Sequence, residues 1–180
     1  MSDLILRNCR PMGAAPADIL IRAGRIAAIG PGLDAPGILS EDAGGKIAIP
    51  GLIDAHTHLD KALLGYPWYR NEVGPNLLDK IDNERAVKKA LKLDPYTQAM
   101  RQSLLSLGWG TTHIRSHVDV DTDGGLSAIE GVLRAKEELA GEVEIEIMRV
   151  LTADDFGDAF TPELREKEDR MREDMEKRQQ

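Results

Sequence analysis

The chain has 180 residues, 42% hydrophobic and 30% charged, with a formal net charge of −8. That length suits one ordinary domain with a real core or a portion of a larger one, and the acidic balance argues against a nucleic-acid footprint or an anionic-membrane binder. A single cysteine, Cys9, rules out an intrachain disulfide, and neither a leader pattern nor an apolar run of bilayer length is visible, so a cytoplasmic protein is expected.

Taken in chain order, residues 3–7 read as a short strand. Residues 18–22 and 25–30 read as a hairpin, because Ala23-Gly24 suits a tight turn between two β-prone runs. The Gly-, Pro- and Asp-rich stretch 31–45 reads as loop and residues 46–49 as another strand. From residue 50 the pattern changes. Gly51–His56 reads as a buried strand, and residues 77–93 as a helix with Leu78, Ile81, Ala86, Val87, Ala90 and Leu91 near one side. Asp94-Pro95 breaks that helix and caps the next, residues 96–107. A second core strand spans 111–120. A third helix is marked by Leu126, Ile129, Val132, Leu133 and Leu139, and a third core strand spans 143–151. Strands joined by crossovers this long pair in parallel, so this part is α/β. The tail is dense in acid-before-base pairs four residues apart, such as Glu163–Lys167 and Glu166–Arg170, which favour a solvated helix starting near Thr161-Pro162. Three segments are therefore expected: 1–49, 50–157 and 158–180.

The chemistry concentrates in Pro50-Gly51-Leu52-Ile53-Asp54-Ala55-His56-Thr57-His58-Leu59-Asp60-Lys61. Strand side chains alternate faces, so His56 and His58 point the same way while Thr57 points oppositely, and two imidazoles on one face can grip a divalent metal ion. The other histidines are His113 and His117.

This segment resembles the first-strand signature of the metal-dependent amidohydrolase superfamily. His58-Leu59-Asp60-Lys61-Ala62, followed by Gly110-Thr111-Thr112-His113-Ile114-Arg115-Ser116-His117-Val118-Asp119-Val120, looks like its cytosine deaminase branch, whose members act on nitrogen heterocycles. The resemblance implies a small N-terminal β-sandwich portion, then the first three strand–helix units of an incomplete (β/α)8 TIM-like barrel, with a charged C-terminal helix. It implies that His56 and His58 are the first two metal ligands, at the C-terminal end of the first barrel strand. The family's zinc or iron lowers the pKa of water, which attacks a ring carbon bearing an exocyclic amine, or an amide-like carbon, and ammonia or an amine leaves.

The family also uses a later His ligand, a proton-shuttling Glu, a further His and a late Asp, all in strands beyond the third. No histidine follows His117 and no position matches, so no catalytic acid or base is assigned, and a truncated, inactive portion is expected. Exposed barrel edges imply self-association. Two alternatives stay open: a non-catalytic truncated or frame-shifted product, and a small metal- or partner-binding α/β module.

His113, Arg115, His117 and Asp119 share strand parity, but about 13 Å separates the two imidazoles, too far to share one metal. His117, nearer the C-terminal end, is the candidate for lining a substrate pocket beside His56 and His58; the alternative is a histidine hydrogen-bonded inside the barrel. Asp119, Asp121 and Asp123 alternate like a calcium loop but lack the spacing to a Glu, so a polar turn capped by Thr122 or Asp123 is preferred. Lys61 reads as a surface lysine, and Arg115 as paired with Asp54 or Asp119.

Overall fold

Ala23 and Gly24 both take positive φ, 47° and 72°, the backbone hand that lets a two-residue turn match the twist of its flanking strands. In the computed structural model, which describes residues 3–70, 72–74, 77–120, 124–151 and 170, this turn joins β2 (Ala17–Arg22) to β3 (Arg25–Gly30). The chain divides into two compact units, Met1–Pro50 and Gly51–Gln180.

In the first unit the strands run in the order β3-β2-β1-β4. β1 (Leu4–Pro11) is antiparallel to β2 and parallel to both β4 (Leu39–Asp42) and β5 (Ile47–Ala48). Ile5, Leu20 and Ala35 form its small core, with Ala28, Leu33 and Ile38 packed against them. The stretch expected to be all loop thus contains β4. All four of its residues are exposed, so it carries no inward-facing apolar alternation to betray it. Asp18 is buried and accepts hydrogen bonds from Arg7 Nη1 (2.7 Å) and from the backbone amides of Asn8 and Leu33 (both 3.1 Å). The Arg7 hydrogen bond, then the Asn8 amide, hold its carboxyl below the ordinary value of 3.8.

In the second unit β6 (Leu52–Thr57), β7 (Thr111–Val120) and β8 (Glu144–Leu151) form a parallel sheet in that order. Among the described residues the helices are α1 (Leu77–Ala90), α2 (Pro95–Gly108) and α3 (Ser127–Glu138), with a 3-10 turn at Leu59–Lys61. The architecture is mixed α/β. Asp94 Oδ2 accepts from the Thr97 amide (2.9 Å) and Pro95 opens α2, as the sequence predicts. One face of β7 (Ile114, Val118, Val120) and Ile145 of β8 pack against Ile129, Val132 and Ala135 of α3 and Ala99 of α2. α3 approaches α2 closely at Gly131, where a Cβ would meet the Tyr96 amide nitrogen at 2.7 Å and Pro95 Cβ at 2.9 Å.

Two core expectations are overturned. β6 is not buried: Leu52 is 49% and Ile53 70% exposed, because among the described residues this edge strand pairs with β7 alone. From Asp79 to Ala90, the described side chains of α1, no residue is buried either; Ala86 and Ala90 are exposed, and Ile81 and Val87 are half-buried along a cleft. Its apolar positions are too few among its charges to form a continuous stripe. The expected tail helix lies outside the described residues except for Arg170, as do Asp121–Asp123. Among the described residues no helix is long and apolar enough to cross a membrane.

Candidate metal centre

Parallel pairing brings the C-terminal ends of β6 and β7 to one edge, with Thr57 level with Ser116. Histidines near those ends therefore meet across strands. His56 and His58 have ring centroids 5.8 Å apart, at 65° to each other; His117 stacks on His56 at 3.9 Å and 20°, and lies 6.0 Å from His58. Local anchors hold the bend. The His56 amide donates to Asp54 Oδ1 (3.2 Å), the Leu59 amide to Ser116 Oγ (3.1 Å), and Gln102 Nε2 to Thr57 Oγ1 (2.9 Å). Thr57 is thereby tied to α2.

The donor chemistry suits a metal pair. Zinc–nitrogen bonds of about 2.0–2.1 Å around a tetrahedral ion put two ring centroids about 5 Å apart, close to the His56–His58 separation. Burial, then the positive charge of Lys61, lowers the His58 pKa from 6.5, which keeps the imidazole in its neutral, ligating form. The stacked His56 and His117 rings are nearly parallel and close, a poor arrangement for two ligands on one ion. Among the described residues no group of three or more His, Cys, Asp or Glu side chains is placed to hold a metal ion. His56 and His58 thus fit as two ligands, not as a complete centre.

Charged residues flank His58. Asp119 Oδ1 lies 3.6 Å and Asp60 Oδ1 4.0 Å from His58 Nδ1. Lys61 Nζ donates to Asp119 Oδ2 (2.5 Å) and to both Glu84 oxygens (3.0 and 3.1 Å). Burial opposes the Lys61 charge, but the two carboxylates outweigh it and raise its pKa above 10.5. Burial, reinforced by Asp119, pushes Asp60 up to about 6. His58 Nδ1, His117 Nδ1 and Asp60 Oδ1 are buried without a hydrogen-bond partner among the described residues. His58, Lys61, Tyr69, Asn83, Gln102 and Asp119 are among the residues lining an open cleft of about 720 Å³.

The structure therefore brings His56, His58 and His117 together and leaves His113 out: it is exposed, with Nδ1 2.9 Å from Thr112 Oγ1. Two expectations are corrected. Lys61 is a half-buried, doubly paired cation rather than a surface lysine. Arg115 pairs with Glu146 (2.8 Å) instead of Asp54 or Asp119, because Glu146 is its register partner on β8. Sequence reasoning missed the Lys61–Asp119–Glu84 cluster. The signal for Asp119 was its shared parity with His117; Glu84, on a charge-rich helix, carried none.

No protein-family model matches the chain. It is 30% identical over 129 residues to N-isopropylammelide isopropyl amidohydrolase of Pseudomonas sp. (strain ADP), a match covering 68% of this chain and 32% of that protein. The crystal structure of N-isopropylammelide isopropylaminohydrolase from Burkholderia multivorans superposes with a TM-score of 0.75 at 47% identity, over 82% of this chain and 37% of that one. That of 5-methylcytosine deaminase from Klebsiella pneumoniae gives 0.55 at 25% identity, over 79% and 35%. The chain thus spans about a third of the length of the Pseudomonas protein it matches. These relatives and structural neighbours are members of the amidohydrolase superfamily, and their similarity covers part of this chain.

Proposed function

We propose that this chain supplies the first metal-ligand pair of a metal-dependent hydrolase of non-peptide carbon–nitrogen bonds, acting on a nitrogen heterocycle. The observation that carries this reading is the gathering of His56, His58 and His117 at the C-terminal edge of the parallel sheet. His56 and His58 hold one divalent ion, zinc or iron. When bound, the ion supplies Lewis-acid activation of water at neutral pH. His117, stacked on His56 instead of ligating, lines the side where a flat heterocycle enters. The superposition on the Burkholderia structure supports reading β6–β8 as the first three strands of a TIM-like barrel and the first unit as a β-sandwich portion. Catalytic zinc normally takes three protein ligands, so two imidazoles alone bind without turning over, and further donors complete the centre.

Zinc X-ray absorption on the loaded chain tests this. Two imidazole nitrogens at about 2.0–2.1 Å, with their outer-shell scattering and oxygen in the remaining positions, are expected. Zinc surrounded by oxygen alone would overturn the assignment.

A further inference from the structure

We propose that Asp119 is a positioning residue for His58, selecting which imidazole nitrogen is left for the ion, and that Lys61 and Glu84 set Asp119 for that task. The proposal rests on the reading of His56 and His58 as a metal pair. Asp119 divides its carboxylate. Oδ2 is 2.5 Å from Lys61 Nζ, while Oδ1 faces His58 Nδ1 at 3.6 Å. Lys61 has three protons to donate and three acceptors around it, Asp119 Oδ2 and both Glu84 oxygens, so its ammonium is fully committed to holding carboxylates. That arrangement fixes Asp119 from the side away from His58.

His58 Nδ1 is buried and has no hydrogen-bond partner among the described residues. A buried ring nitrogen that faces a carboxylate carries the proton, which leaves Nε2 free with its lone pair. Asp119 is nearer than Asp60, whose Oδ1 is 4.0 Å away, and Asp119 is the one clamped by a cation. At 3.6 Å the Asp119 contact is longer than a hydrogen bond, and contacts of this kind tighten when the site is loaded. Outer carboxylates of this type fix ring orientation and raise the basicity of the ligating nitrogen.

The test is zinc affinity, measured by chelator competition, together with 15N ring shifts of His58 in the metal-free full chain. Asp119→Asn keeps the shape and removes the charge; affinity is expected to fall about 10–100-fold, and His58 to lose its Nδ1–H tautomer preference. Lys61→Met keeps the Asp119 carboxylate but removes its clamp, and gives opposite signs for two accounts. Removing a positive charge strengthens binding of a cation if Lys61 is merely a repelling charge, and weakens it if Lys61 sets Asp119. Weaker binding in both variants supports the proposal. Stronger binding in Lys61→Met overturns it, and so does unchanged affinity and tautomer in Asp119→Asn when the parent binds zinc. A parent chain that does not bind zinc sinks the metal-pair reading along with it.

Discussion

Asp18 and Asp60 are both buried carboxylates, and their surroundings push them in opposite directions. Asp18 receives three hydrogen bonds, one from an arginine, and is held below its ordinary 3.8. Asp60 keeps one oxygen without a partner among the described residues and rises to about 6, first through burial and then through Asp119. The Asp18 shift has a stability consequence for the first unit. A folded value below the unfolded one means the contribution is fully present above pH 3.8 and is lost as pH falls through the folded value. Asp18→Asn is therefore expected to destabilise the fold at neutral pH and to flatten the acid limb below about pH 4. Denaturant unfolding between pH 2 and 7 checks this: parent and variant curves should converge at the acid end. Curves that stay parallel throughout contradict the linkage.

Among the elements, the α2–α3 crossing gives the sharpest test, because two principles disagree in sign there. On helix propensity alone, replacing Gly131 in α3 by alanine stabilises by about 1 kcal/mol. The close approach to the Tyr96 backbone and Pro95 makes the added methyl an overpacking change instead, costing about 1–3 kcal/mol. The expected result is a lower thermal midpoint for Gly131→Ala, and a higher one would show that the crossing has room. The elements that local chemistry specifies were legible in the sequence: the Ala23-Gly24 hairpin, the Asp94-Pro95 start of α2 and the full span of β7. β4 and the exposure of α1 were not. Each depends on neighbours far along the chain rather than on its own pattern; β4 exists because Leu39–Asp42 find Leu4–Arg7.

At the level of the whole molecule, a parallel sheet turns residues sixty positions apart into one site. The His56–His58 pair was readable from strand parity, and His117 from its place near the end of β7. The Lys61–Asp119–Glu84 cluster was not, since it joins a turn, a strand and a helix. Parity gave the shared face of β7 but not its exposure: His113 and Arg115 stand open while His117 sits in the cluster, because only the C-terminal part of the strand meets the bend after β6. The central claim is that His56 and His58 are metal ligands and that His117 is not. Zinc bound per chain, determined by equilibrium dialysis at saturating zinc because a two-imidazole site holds its ion weakly, tests it most directly across the parent, His56→Ala, His58→Ala and His117→Ala. Stoichiometric zinc in the parent and in His117→Ala, with loss in the other two, is the predicted result; a parent without zinc, or zinc that persists when His56 or His58 is removed, contradicts it.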